Sequence, residues 1–374
     1  MIYYLTFNDA PSGIFSSQVL DVVNFLRQEL KAHIRLVSFI SLRAFKANRR
    51  KIKDECPDAI VIPMIPGVSR WKLNRFLLRI LCYAGKPEAI IGRSVLATQL
   101  AFDSGVKKVV YDGRGAISAE WNEYKVVNDP GMLSEITELE KKVVHNTLFR
   151  IAVSAQLVNY WRQVYNYQDN REVVIPCTLN KAFENTELTE KNIATIRQKL
   201  SFDATDIVFI YAGSVAGWQS FSLLYEFIKP ILQKNEKTKL LFLSDRDDNI
   251  QNLMKEFPSQ VSRRKVAPHE VPEYLMAGDY GILIREQSIT NKVASPVKFA
   301  EYLACGLKVI ISEHLGDYSS FISRNGCGYI YSQFPGPSPV TLTEKQKNRI
   351  LALKSFTKNN LVSEYKKLLA SVVT

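Results

Sequence analysis

The sequence predicts an α/β protein built from two doubly wound, Rossmann-like domains facing a cleft, and three observations carry that prediction. Short, almost wholly apolar runs alternate with amphipathic stretches from the first residue onward. Runs without polar alternation suit strands covered on both faces, the setting of parallel sheets. The alternation stops at a polar, charge-rich stretch, 180–199, and then begins again. With 374 residues, 46% of them hydrophobic, the chain can bury two cores of ordinary domain size.

Taken in order, the runs 1–7, 34–39, 59–63, 89–91, 108–111, 150–154 and 173–175 read as strands, and 16–30 as the first helix. The second series is 207–211, 239–244, 261–265, 281–284 and 308–311. The restart places a boundary within 176–191, giving a first domain at 1–178 and a second domain at 179–345. A helical C-terminal segment, 346–374, can pack back on the first domain. No internal repeat accompanies the shared architecture. In open sheets of this kind ligands bind at the carboxyl ends of the strands.

Composition excludes several classes. The five cysteines stand singly, without metal spacing, which points to free thiols in a reducing compartment and to no metal site. The four histidines are equally isolated. No stretch approaches the length of a membrane span, and residues 1–13 lack the pattern of a secretory signal. A cytoplasmic protein is expected. The formal net charge of +12 favours an anionic partner, yet no zinc finger, RNA-binding motif or recognition helix argues for nucleic acid.

The segment 279–311 is the most informative. It reads as strand, polar loop, helix and second strand, with Ser295 suited to the N-cap, Pro296 to the first helical position and Gly306 to the residue past the end. The exposed N–H groups of such a helix attract a phosphate, Lys298 adds a full positive charge, and Glu301 can accept hydrogen bonds from sugar hydroxyls. A second loop, 212–219, follows the strand 207–211 and brings Gly213 and Gly217, which allow close approach of backbone to a ligand. It lacks the Gly-Lys-Ser/Thr of a nucleotide-hydrolysing loop.

The run Ser295-Pro296-Val297-Lys298-Phe299-Ala300-Glu301-Tyr302-Leu303-Ala304-Cys305-Gly306 resembles the donor motif of glycosyltransferases with the GT-B fold, nearest to the family 4 type. The segment 266–275 resembles the stretch of those enzymes that holds the nucleobase through backbone groups. The resemblance implies that Glu301 grips ribose hydroxyls and that Ser295, Lys298 and the helix N-terminus hold a diphosphate. It places Val266 near the base, and Arg285 and Asn291 on the loop facing the sugar. Two departures stand out. The second glutamate usual in relatives is Val293 here, and the Arg and Lys usual after the glycine turn are Ser214 and Gln219. Lys298 and Arg285 must then supply the charge for the diphosphate.

In the first half, 8–13 ends in Gly13 and resembles the glycine loop that approaches the donor phosphate. Asp112 and Arg114 follow the strand 108–111. Asp112 is the candidate for orienting or deprotonating an acceptor hydroxyl, with Glu120 second, and Arg93 and Arg114 are candidates for an anionic acceptor or the leaving phosphate. A structural ion pair between Asp112 and Arg114 is the competing reading. Two basic stretches, 43–53 and 71–81, suit an anionic membrane surface, or in the simpler reading pack on the sheet. The resemblance implies a retaining, metal-independent transferase, and no cofactor is expected. It would move sugar from a nucleotide donor to a saccharide acceptor, lipid-linked in this expectation, at the inner face of the membrane. A nucleotide-sugar epimerase and a non-catalytic sugar-nucleotide-binding subunit are the alternatives.

Overall fold

The computed structural model describes residues 1–213 and 220–373, without the side chains of Val68 and Val373. The chain divides into two compact units, Met1–Thr178 with Lys358–Thr374, and Leu179–Thr357.

The first unit holds seven strands, β1 (Ile2–Phe7), β2 (Ile34–Ile40), β3 (Ile60–Pro63), β4 (Ala89–Arg93), β5 (Lys108–Gly113), β6 (Phe149–Ala152) and β7 (Glu172–Val174). Their order is β3-β2-β1-β4-β5-β6-β7, every pairing parallel. The second unit repeats the plan with β8 (Ile207–Ala212), β9 (Thr238–Leu243), β10 (Val261–Arg264), β11 (Tyr280–Leu283), β12 (Lys308–Ile311) and β13 (Gly328–Ile330), ordered β10-β9-β8-β11-β12-β13. In each unit the order reverses beside the first strand, between β1 and β4 and between β8 and β11. Loops leaving the carboxyl ends of those strands diverge and open a crevice.

Apolar strands follow from burial on both faces. All six residues of β1 are buried. Ile2 and Tyr4 join Val19, Val23 and Leu26 in one core, while Tyr3 and Leu5 join Trp71, Leu78 and Leu100 in another. In β8, Val208 and Ile210 meet Tyr302 and Leu303, and Phe209 and Tyr211 meet Leu224 and Ile228.

The strand β13 escapes a reading of the sequence. It is a three-residue edge strand, half-buried throughout, too short for periodicity to mark it. Gly328 seats it: a Cβ there would lie 2.0 Å from the Val309 carbonyl oxygen. The first helical segment also differs from a plain helix over 16–30. It starts at Gly13, capped by Ser12, and carries a π-helical turn at Ser16–Leu20 before Asp21–Gln28. The C-terminal segment is two helices. Leu342–Phe356 belongs to the second unit, and Val362–Val373 lays Tyr365, Leu368 and Val372 on the first unit's core.

Gly281 in β11 tests the packing. A Cβ at that position would sit 2.4 Å from the Tyr302 ring. Gly281→Ala is expected to lower unfolding free energy by about 1–3 kcal/mol through overpacking, measured by urea denaturation.

Candidate functional site

The second unit gathers its polar side chains at the carboxyl edge beside β8 and β11. Tyr302 sets their positions. Its ring lies on Gly281, and its hydroxyl accepts from the Ala212 N–H at 2.9 Å and donates to the Ile282 carbonyl at 3.4 Å. The helix Val297–Ala304 is thereby tied to the ends of both strands.

Gly213, the next residue after β8, has φ +114°, and a Cβ on it would be 2.5 Å from Lys298 Nζ. Glycine here does two things at once: it permits the left-handed backbone and makes room for the ammonium. Lys298 Nζ also stands 5.0 Å from the centroid of the Tyr211 ring. Ser214 and Gln219 lie outside the described residues.

Arg285 follows β11 and is buried. Its N–H donates to Ser312 Oγ at 2.7 Å, and the same hydroxyl donates back to its carbonyl at 2.5 Å, locking the ends of β11 and β12 together. Its Nη1 donates to Asn291 Oδ1 at 3.3 Å, while Asn291 Nδ2 reaches the Glu286 carbonyl at 3.1 Å. Asn291 thus holds Arg285 to its own loop. Val293 is buried behind that loop, so no carboxylate enters from this position.

The helix starts one residue later than the sequence suggests. Pro296 occupies the cap position, with φ −65° and ψ 119°, and Val297 is first in the helix. Ser295 Oγ shares a hydrogen bond with Tyr318 Oη at 2.8 Å in the buried interior, so this hydroxyl also anchors Tyr318, a contact that propensity rules do not anticipate. Gly306 ends the helix as expected, at φ +86°. Val266 is half-buried just after β10, and the turn beyond it is closed by Ala267 N–H donating to Glu270 Oε2 at 2.9 Å. Val266 therefore lies on the same edge, two strands from β8.

Buried charges interact at this edge. Burial, and then the repulsion of Arg285, bring the Lys298 ammonium down to about 7, with Glu301 opposing the shift. Burial pushes the Glu301 carboxyl up to about 7, and Lys298 only partly offsets it. Two cations and one carboxylate, partly withdrawn from water, favour an arriving anion. The hydroxyl-accepting Glu301 beside them suits a ligand that joins phosphate to a polyol.

The first unit resolves its charges internally. Asp112 ends β5 fully buried; its Oδ2 accepts from Arg114 Nη2 at 2.9 Å and from Tyr4 Oη at 2.5 Å, and its Oδ1 is ion-paired with Arg114 Nε at 2.8 Å. Arg93 Nη1 stands 3.7 Å away on β4. Burial works against the Arg114 charge and Asp112 outweighs it, raising the pKa, while the buried Tyr4 phenol is raised by burial and by Asp112. Asp112 is thus the buried counter-ion of Arg114, with Arg93 close by. The structural ion pair is the arrangement found.

Asp9, which the sequence does not single out, has the better placement. It follows β1 at the strand-order reversal, its carboxylate 3.5 Å from Arg93 Nε and 40% exposed. Burial, and the nearby Asp112, push its carboxyl up while Arg93 pulls it down. Glu120 is half-buried in the helix Ile117–Glu123 and is also raised, by burial and by Glu140 and Glu123. Gly13 is exposed at the start of its helix, with open space where a Cβ would be.

The chain matches no protein-family model and no curated protein. Its likeness is to solved structures. A sucrose-phosphate synthase from Thermosynechococcus elongatus aligns over 100% of this chain and 99% of its own, at 13% identity and a TM-score of 0.68. WaaG, a glycosyltransferase involved in lipopolysaccharide biosynthesis, aligns over 100% and 95%, at 13% identity and 0.63. A putative UDP-N-acetylglucosamine 2-epimerase from Listeria monocytogenes aligns over 100% and 90%, at 12% identity and 0.55. At these identities the likeness establishes the fold, the GT-B pairing of two doubly wound units.

The pair Lys298 and Glu301 sets an expected pH signature. Glu301 is raised from 4.5 to about 7, so its contribution is intact below 4.5 and is lost as pH rises through 7. Lys298 is lowered from 10.5 to about 7, so stability recovers as pH climbs from 7 towards 10.5. Relative to a Lys298→Met/Glu301→Gln variant, the unaltered protein should be least stable near neutrality, by roughly 1–2 kcal/mol compared with either extreme. Urea unfolding across pH measures this.

Proposed function

We propose that the protein is a glycosyltransferase that moves a sugar from a nucleotide-diphosphate donor to a saccharide acceptor. The observation that carries the reading is the cluster of Arg285, Lys298 and Glu301 at the carboxyl edge of the second sheet, where its strand order reverses. In this reading Glu301 takes the ribose hydroxyls, and the carboxyl-edge turn at Val266 takes the base. Lys298 and Arg285 hold the diphosphate. As the bond from the anomeric carbon to the phosphate oxygen breaks, negative charge grows on the leaving diphosphate, and those two cations stabilise it without a metal or cofactor. The retaining course belongs to the same proposal.

On the acceptor side, Arg93 and Arg114 are pre-oriented by Asp112, and Asp9 replaces Asp112 as the group to accept the hydroxyl proton. Glu120 stays the second candidate. The names of the structural neighbours support transfer, one of them in lipopolysaccharide biosynthesis. The epimerase neighbour keeps one rival in view, and a non-catalytic sugar-nucleotide-binding subunit is the other.

A lipid-linked acceptor is part of the proposal because of one helix face. On Asn74–Gly85 and the turn before it, Leu73, Phe76, Ile80 and Tyr83 are 43%, 49%, 69% and 85% exposed, at spacings of three, four and three that make one stripe. Arg70, Lys72, Arg79 and Lys86 are exposed around it. An apolar stripe with a basic rim suits an anionic lipid surface. The other basic stretch serves less well: its helix Phe45–Glu55 buries Ile52 in the core on the opposite face of the sheet from Leu78 and has no exposed apolar row. No helix among the described residues is long and apolar enough to cross a membrane.

Thermal unfolding with UDP-, GDP-, ADP- and dTDP-sugars should reveal one donor that stabilises the protein, by about 2.7 kcal/mol at a hundredfold excess over Kd. Lys298→Ala should weaken that donor by on the order of tenfold or more, and an unchanged affinity would remove the diphosphate from this place. NMR of the donor alone should show no change at its sugar stereocentres; inversion there would favour the epimerase. Mass gain by a lipid-linked or oligosaccharide acceptor separates the transferase from a silent binding subunit. Phe76→Glu/Ile80→Glu should abolish flotation with phosphatidylglycerol vesicles and leave donor binding intact.

A further inference from the structure

The second sheet has another concave region at its amino edge, away from the donor side. There a cavity of about 600 Å³ lies between the helix Glu190–Lys199, the turn 200–206 and the segment 339–345, next to Asp279, which leads into β11. Its size is that of a small-molecule site. Ile193, Phe202, Val340 and Leu342 supply apolar walls.

The inner end is polar, and most of it is spoken for. Arg197 Nη2 pairs with Asp279 Oδ2 at 2.8 Å, and Arg197 Nε and Nη1 donate to the carbonyls of Ala277 at 3.0 Å and Asp206 at 3.1 Å. Asp279 Oδ2 also accepts from Val208 N–H at 2.9 Å. Lys345 differs. It lines the cavity at 3% exposure, and among the described residues the acceptor of its Nζ is the Gly278 carbonyl, although an ammonium carries three donors. Packing forces it into this place: its stem runs beneath Gly306, where a Cβ would be 2.7 Å from Lys345 Cβ. Burial draws the ammonium down to about 8 in spite of Asp279, so its charge is incompletely compensated.

We propose that this cavity is a second ligand site that takes a small apolar monocarboxylic acid, the carboxylate on Lys345 and the hydrocarbon against Ile193, Phe202, Val340 and Leu342. Lys345 has donors beyond the one given to Gly278, and its single charge matches one carboxylate. Glu190 and Asp203, exposed on the cavity lining, repel a multiply charged phosphate, and the apolar walls reward a hydrocarbon body.

Calorimetric titration of the full chain with 4-phenylbutanoate and with its primary amide, at neutral pH, tests the site. The acid should bind about tenfold more tightly than the amide, the worth of one charge-assisted contact. Lys345→Met, which keeps the stem, should remove that preference, whereas Lys298→Ala should leave it within about twofold. Ala194→Trp, built from an exposed lining position, should fill the cavity and block the acid even if Lys345→Met fails to fold. Equal binding of acid and amide would overturn the proposal. So would binding that is lost with Lys298→Ala, or binding that persists in Ala194→Trp.

Discussion

The contact of Tyr302 with Gly281 holds the second unit's chemistry in place. Because β11 presents no side chain at that point, an aromatic ring can lie directly on the strand, and its hydroxyl can then reach the N–H of Ala212 on β8. Three elements are joined through one residue. Lys298 and Glu301 ride on the same helix, so their positions relative to Gly213 and Arg285 follow from that packing. A helix fixed only by its caps would leave the ammonium free to swing into water, and a charged site gains from pre-organisation.

The two units handle buried charge in opposite ways. In the first, Asp112 is ion-paired with Arg114 and accepts hydrogen bonds from Arg114 Nη2 and the Tyr4 phenol, which orients Arg114. Removing one member of this group would strand the others. In the second, Arg285 and Lys298 face one carboxylate, and both titrating groups are driven towards neutrality. Both cations lie at the carboxyl edge where the strand order of that unit reverses.

Much of this was readable in the chain. The alternation of apolar runs and helices locates twelve of the strands, and the pattern Ser295-Pro296-x-Lys298-x-x-Glu301 picks out the helix that carries the site. What stayed hidden has physical causes. The edge strand β13 is too short and too half-buried to leave a pattern. Asp9 looks like one more turn residue until β4 brings Arg93 beside it. Asp112 looks like a base until Tyr4, 108 positions away, is found donating to it. The basic stretches 43–53 and 71–81 look alike in composition and lie on opposite faces of one sheet.

By itself, then, the sequence determined everything that depends on neighbours along the chain: strand and helix order, the restart that makes a second unit, the glycine that ends the site helix. Tertiary structure alone decided which charges meet, because that depends on partners brought together by strand order. Lys298 is the clearest case. As a residue it is an ordinary lysine on a helix; its place over Gly213, its distance from the Tyr211 ring and the repulsion from Arg285 exist only once β8 and β11 lie side by side.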